Sequence, residues 1–324
     1  MQQLSVAVID AAHATRQRLG EQLFKSATLL AALLVLLLLG GVTVALLSGA
    51  WPALAKFKIG FLTHEVWNPV TERFGALAAV YGTLVTSALA MLIAIPISFG
   101  VAIFLTELSP RWLKRPVGIA VELLAAVPSI IYGIWGLFVL APILQRHLQP
   151  WLIEHIGVVP LVGGLFRGPP FGIGVLTAGL VLAIMVLPFI SAVTRDVFET
   201  VPDVLKESAY GLGATTWEVI WNVVLPHSRV GVVGGVMLGL GRALGETMAV
   251  TFVIGNAHRI SSSLLAPGTT ISASIANEFT EAVGDLYTSA LIALGVLLFL
   301  ITFTVIAAAR FMLLRLERRA LSSV

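Results

Sequence analysis

Six stretches of the chain are apolar for long enough to cross a lipid bilayer. They lie at about 27–48, 79–107, 117–143, 171–194, 232–254 and 287–313. Each exceeds the ~18 residues that separate a spanning helix from a buried core helix, and at about 1.5 Å per residue each reaches across ~30 Å of hydrocarbon. The pattern predicts an all-α membrane protein with about six transmembrane helices. The first block follows a polar stretch carrying Arg16, Arg18, Glu21 and Lys25, and ends at the small residues Ser48-Gly49-Ala50, which would suit cleavage of a signal peptide. Its apolar run is well beyond the usual ~7–15 residues of such a peptide, so it reads as a retained anchor.

The blocks divide the chain into an N-terminal segment 1–26, a first transmembrane helix with its outer loop 27–74, a main membrane domain 75–312 containing a patterned loop 195–231, and a tail 313–324. With the N-terminus inside, the inner segments (1–26, 109–116, 195–231, 310–324) hold 13 Lys and Arg and the outer ones hold 6. That asymmetry puts both termini in the cytoplasm, with Arg111-Trp112-Leu113-Lys114-Arg115 as the clearest inner marker. The outer segments 50–74, 144–170 and 255–286 are rich in Pro, Gly, Ser and Trp and suit contacts with partners.

Composition sharpens this picture. The chain is 58% hydrophobic and 11% charged, with a mean hydropathy of +0.97, against roughly a quarter charged residues in soluble domains. A net charge of +3 could suggest nucleic acid, but the basic residues border the apolar blocks, so they orient the chain in a membrane instead. Cysteine is absent, which excludes disulfides, thiolate catalysis and cysteine-built metal sites. The six histidines show no metal-ligand spacing. There is no G-x-x-x-x-G-K-[ST], and the glycines of Gly239–Gly245 have the wrong spacing and context for a dinucleotide fingerprint.

The loop 195–231 is patterned. Pro202 and Asp203 fit a helix's first turn and Gly213 its stop. Thr215-Thr216-Trp217-Glu218 then spells a capping box. In the second helix Trp217, Ile220, Trp221 and Val224 form one apolar stripe, and Pro226 is expected to end it. Two readings follow, an interfacial helix pair resting on lipid headgroups or a docking element for another protein.

Charges also fall inside apolar blocks. In Gly239–Thr247, Arg242 is expected near mid-membrane with Glu246 one turn on. Ionised groups there cost a few kcal/mol and should face the bundle interior or water. The pair could be a structural i, i+4 ion pair. Alternatively Arg242 offers a bidentate fork to a tetrahedral oxyanion while Glu246 holds the fork, and the carboxylate would favour a protonated anion such as hydrogen phosphate over sulfate. Glu122, nearer the edge of the third block, is expected to snorkel or pair with Arg115. Pro96, Pro128 and Pro188 interrupt spans and suggest bends, and the small residues from Gly234 to Gly245 suit close helix packing.

The loop's full spelling is Glu207-Ser208-Ala209, three residues, Gly213, nine residues, then Val223-Val224-Leu225-Pro226. It resembles the EAA loop of ABC importer permeases (E-A-A, three residues, G, nine residues, I-x-L-P), with Ser208 and Val223 as departures. The resemblance implies that the loop transmits the motion of a separate ATPase, a role carried to Glu207, Ala209, Gly213, Leu225 and Pro226. Gly241–Val250 is similar to the intramembrane signature of phosphate importer permeases. So are Leu105–Leu108, Lys114-Arg115-Pro116, Leu124–Ser129 and Trp217–Trp221, and the resemblance covers roughly 75–312.

It implies a type I ABC importer (MetI-like) fold and one permease subunit of an ATP-driven inorganic phosphate importer in a bacterial inner membrane. The expected partners are a sister permease, PstA, an ATPase dimer that binds the ATP, and a periplasmic phosphate-binding protein. The chain itself would carry no catalytic residue, metal or cofactor, and Arg242 and Glu246 would line the substrate path. A permease for molybdate or sulfate, and a secondary anion transporter, stay open as alternatives. An intramembrane enzyme would need a nucleophile with a base, or a metal cluster, at mid-depth, and neither is spelled here.

Overall fold

The structure, a computed structural model, describes residues 2–160 and 162–321. The side chains of Arg16, Arg18 and Arg111, and residues 322–324 of the expected tail, lie outside what it describes. Among the described residues, six helices are long and apolar enough to cross a membrane. The chain divides into two units, Met1–Gly49 and Ala50–Val324.

In the first unit the backbone belongs to helix α1, Gln2–Phe57. From residue 20 onward its leucines are exposed on every side, including Leu30, Leu34 and Leu37. A helix that is apolar all round suits lipid contact.

The second unit begins inside that helix and continues through a short antiparallel hairpin, β1 (Trp67–Asn68) and β2 (Arg73–Phe74), with Trp67 opposite Phe74. Then come α2 (Leu77–Leu108), α3 (Arg111–Ala126), α4 (Ser129–His155) and α5 (Val175–Glu199). They are followed by α6 (Asp203–Gly211), α7 (Thr216–Gly245), α8 (Met248–Val253), α9 (Ile271–Glu278) and α10 (Asp285–Leu321).

Helix α5 is the axis of this unit. Of its most apolar stretch 72% is buried, against 33% or less in the other spans. Leu182, Met185, Val186 and Ile190 of α5 pack with Ala90 and Ala94 of α2, Ala243 of α7, and Val250 and Val253 of α8. Lipid tails are as apolar as these side chains, so association rests on close packing rather than on escape from water. Small residues provide it: a Cβ on Gly239 would lie 2.6 Å from Ile190 Cγ1 and 3.0 Å from Val186 Cγ1. One polar contact adds to it, since Ser98 Oγ of α2 donates to the Leu187 carbonyl of α5 at 3.1 Å.

Two boundaries differ from the sequence expectation. The third span is not 117–143. The amphipathic α3 ends at Ala126, Val127 is extended (ψ 127°), and the spanning helix starts at Ser129. Pro128 disfavours the helical conformation in the residue before it, which breaks the apolar block in two. Tyr132 Oη donates to the Leu124 carbonyl at 2.7 Å across the break. The fifth span is not 232–254 either. It starts at Thr216 and stops at Gly245, because Glu246 is extended (ψ 131°).

Pro226 therefore lies inside a continuous helix instead of ending one. A π turn at Ile220–Val224, closed by Leu225 N–H on the Ile220 carbonyl, directly precedes it. Pro142 and Pro150 follow the π turns Gly136–Leu140 and Leu144–Leu148 in the same way. A proline in an α-helix clashes with the carbonyl four residues back and leaves it unbonded. In all three cases that carbonyl belongs to the π turn, whose wider spacing makes room for the ring.

Candidate functional site

Helices α6 and α7 form the helix pair that the loop pattern predicts. Pro202 precedes α6, and Gly213, at φ 86°, makes the left-handed turn after it. At the start of α7 the Thr215 amide donates to Glu218 Oε2 at 2.8 Å, and the Glu218 amide donates back to Thr215 Oγ1 at 3.4 Å. This is the expected capping box. The apolar stripe is split, however. Ile220 and Val224 are buried, whereas Trp217 and Trp221 are 63% and 48% exposed, edge to face at 5.3 Å.

The five residues expected to couple take different places. Ala209 and Leu225 pack on a cluster of Ala102, Phe198, Val201, Val219, Val224 and Val232. Gly213 shapes the turn, and Glu207 and Pro226 are exposed. Beside Glu207, Lys206 Nζ meets Glu107 Oε1 of α2 at 2.6 Å, tying α6 to a spanning helix.

Arg242 lies on α7 about 39 Å along the helix from Thr216, at 1.5 Å per residue. Its guanidinium carbon sits 4.1 Å from the centroid of the Phe189 ring. The Nε is buried without a hydrogen-bond partner. Arg242 borders a groove of about 730 Å³ together with Phe189, Gly241, Thr302 and Ile306. The expected contact between Arg242 and Glu246 is absent: no ion pair joins them among the described residues. The i, i+4 geometry needs an unbroken helix, and α7 ends at Gly245. Glu246 instead accepts from the Ala249 amide at 3.2 Å, at the start of α8.

Glu122 pairs with Arg195 of α5 at 2.8 Å, and not with Arg115. Lys114 pairs with Glu199 at 3.1 Å. Together these hold α3 along α5 around a cleft of about 340 Å³.

At the other end of the bundle, Glu278 of α9 gathers three elements. Its carboxylate accepts from Trp67 Nε1 at 2.6 Å, Tyr287 Oη at 2.5 Å and, on the other oxygen, from His258 Nε2 at 2.6 Å. Trp67 stacks on His258 with ring centroids 5.3 Å apart. Burial alone would push the Glu278 carboxyl up, but the bonds from His258, Tyr287 and Trp67 outweigh it and hold it below the ordinary range.

Residues 94–320 match the family model described as binding-protein-dependent transport system inner membrane component. The chain belongs to this family. It is a multi-pass membrane transport component. Among characterised relatives, the phosphate transport system permease protein PstC of Mesorhizobium japonicum is 64% identical over 98% of both chains. That of Pasteurella multocida is 60% identical over 92% of this chain and 93% of its own. A bacterial alginate ABC transporter, solved in complex with an alginate pentasaccharide-bound periplasmic protein, has a chain that superposes with TM-score 0.57. It shares 19% identity over 88% of this chain and 94% of that one, a likeness of fold. The ABC importer permease fold expected from the sequence is thus the fold of this family member.

Sequence reasoning missed the Lys206–Glu107 pair, the Phe189 platform under Arg242 and the Glu278 network. Lys206 adjoins Glu207 in the loop motif, which offered a hint. Trp67 and Glu278 are 211 residues apart and share no motif.

Proposed function

We propose that this chain is a permease subunit of an ATP-driven inorganic phosphate importer in a bacterial inner membrane, with both termini cytoplasmic. It supplies half of the translocation path beside a sister permease, PstA. A separate ATPase dimer binds the ATP and drives α6 and the first turns of α7, and a periplasmic phosphate-binding protein delivers the anion from above. The observation that carries the reading is the 56–64% identity, over nearly the whole chain, to permeases named for phosphate transport. No bond is made or broken by this subunit.

Helix α7 gives the reading a mechanical form. It carries the ATPase-docking end at Thr216 and the cation Arg242 on one rod, so motion at the first is delivered to the second. The π turn at Ile220–Val224 is the compliant point between them. Glu207, Ala209, Gly213, Leu225 and Pro226 form the coupling element. Arg242 receives the anion, its fork unoccupied by Glu246, and Glu246 shapes the path by fixing the bend into α8.

The test is ATP-dependent uptake of radiolabelled phosphate by vesicles containing this chain and its partners, with sulfate and molybdate as competitors. Loss of uptake in Glu207→Arg and Arg242→Ala, in fully assembled complexes and without competition, is the expected result. Uptake that persists on an ion gradient after ATP depletion, or that sulfate or molybdate suppresses, would sink the reading.

A further inference from the structure

A cation inside a membrane bundle is made tolerable by an ion pair, by hydrogen bonds, or by the face of an aromatic ring. Arg242 has no ion pair among the described residues, and its buried Nε has no hydrogen bond. What it has is the Phe189 ring, 4.1 Å from the guanidinium carbon. The distinction matters for an anion. A carboxylate partner would occupy the donor fork and cancel the charge, whereas a ring takes only the flat face and leaves the N–H edges and the full positive charge for a ligand.

The platform itself is held on both sides. The carbonyl of Leu187, two residues before Phe189, accepts from Ser98 of α2 at 3.1 Å. Ile190, one residue after it, is fully buried against Gly239, one turn before Arg242 on α7. Phe189 therefore stands on the central helix between two anchored neighbours, and the ring and the guanidinium border the same groove of about 730 Å³.

We propose that Phe189 is a positioning residue for the transported anion, an aromatic platform that holds the Arg242 guanidinium flat with its donor fork open. The inference rests on the reading that Arg242 lies on the phosphate path. It adds the group that makes Arg242 available, and it predicts that the ring's π face is what counts.

The test is phosphate uptake by the full complex reconstituted in proteoliposomes, resolved into KM and maximal rate, with the melting temperature of each purified complex. Phe189→Leu is expected to raise KM about 3- to 30-fold, the range that loss of a partly to fully desolvated cation–π contact spans, with a much smaller change in maximal rate. Phe189→Tyr, which keeps the ring, is expected to restore KM to near the unmodified value. Phe189→Met replaces Phe189→Leu if the latter fails to assemble. An unaltered KM in Phe189→Leu or Phe189→Met, with Arg242→Gln impaired, overturns the platform alone. Equal KM defects in the Leu and Tyr variants, tracking a lowered melting temperature, also overturn it, since the role is then packing. An unaltered KM in Arg242→Gln overturns the path reading and the platform with it.

Discussion

Lys206 and Glu107 lie 99 residues apart in sequence and meet at 2.6 Å, with 15% and 7% of their side chains exposed. A charge pair so withdrawn from water is costly to break from one side, because the remaining partner stays buried and unpaired. It is also the polar tie between the ATPase-docking helix α6 and the spanning helix α2. Either single change, Lys206→Met or Glu107→Gln, is expected to destabilise the complex by about 2–3 kcal/mol. The double change Lys206→Met with Glu107→Leu should recover much of that stability while uptake stays impaired. Melting temperatures of the four complexes in a double-mutant cycle, beside their uptake rates, check both halves; additive losses would contradict the pairing.

The close approach of α7 to α5 sets a size limit at Gly239. Gly239→Ala must displace the tip of Ile190, and Gly239→Leu must part the helices, at a cost of about 1–3 kcal/mol or more. Gly100→Ala is the matched control, since nothing lies within 4 Å of a Cβ there. The yield and melting temperature of detergent-purified protein should fall in the order Gly100→Ala, Gly239→Ala, Gly239→Leu.

The turn between α6 and α7 depends on a left-handed residue. Gly213→Ala forces a side chain into φ 86°, at about 1–2 kcal/mol, and Thr215→Ala removes one arm of the capping box, at about 1 kcal/mol. Because both residues lie in the coupling element, uptake should drop further than the melting temperature does. ATP hydrolysis per phosphate transported, which rises if coupling slips, is the discriminating measurement.

The Glu278 network predicts an acid limb. Its carboxyl is held below the ordinary range when folded. A depressed carboxyl contributes stability that is fully present above its unfolded pKa, about 4.3, and is lost as pH falls through the folded value. Thermal stability should therefore decline below about pH 4 in the unmodified protein. Glu278→Gln should start lower at neutral pH and decline less steeply. Parallel curves for the two proteins would show that Glu278 does not set this limb.

What could be read from the sequence depended on how far apart the partners stand. The Thr215–Glu218 cap is complete within four residues, so its letters suffice. Gly213 was equally legible, because the turn it makes is local. Pro226 was read as a terminator because proline's effect on an α-helix is local too, yet the π turn that accommodates it is a choice of backbone spacing upstream. Val127-Pro128 sat within an apolar block whose hydropathy hides a break in direction. The Arg242–Glu246 pair was inferred from a spacing that holds only while the helix continues, and it stops between them. Phe189 and Arg242 come together across two helices, which no periodicity encodes.

The π turn at Ile220–Val224 has one more consequence. Each residue of a helix advances the chain by about 100° of rotation, and a π turn accommodates one residue beyond the α count. Removing a single residue from Ile220–Val224 could restore regular α spacing and leave the helix continuous, yet turn everything beyond it, Arg242 included, by about 100° about the axis. The bulge thus acts as a phase setting: it fixes the azimuth at which the cation faces its neighbours relative to the tryptophans at the docking end.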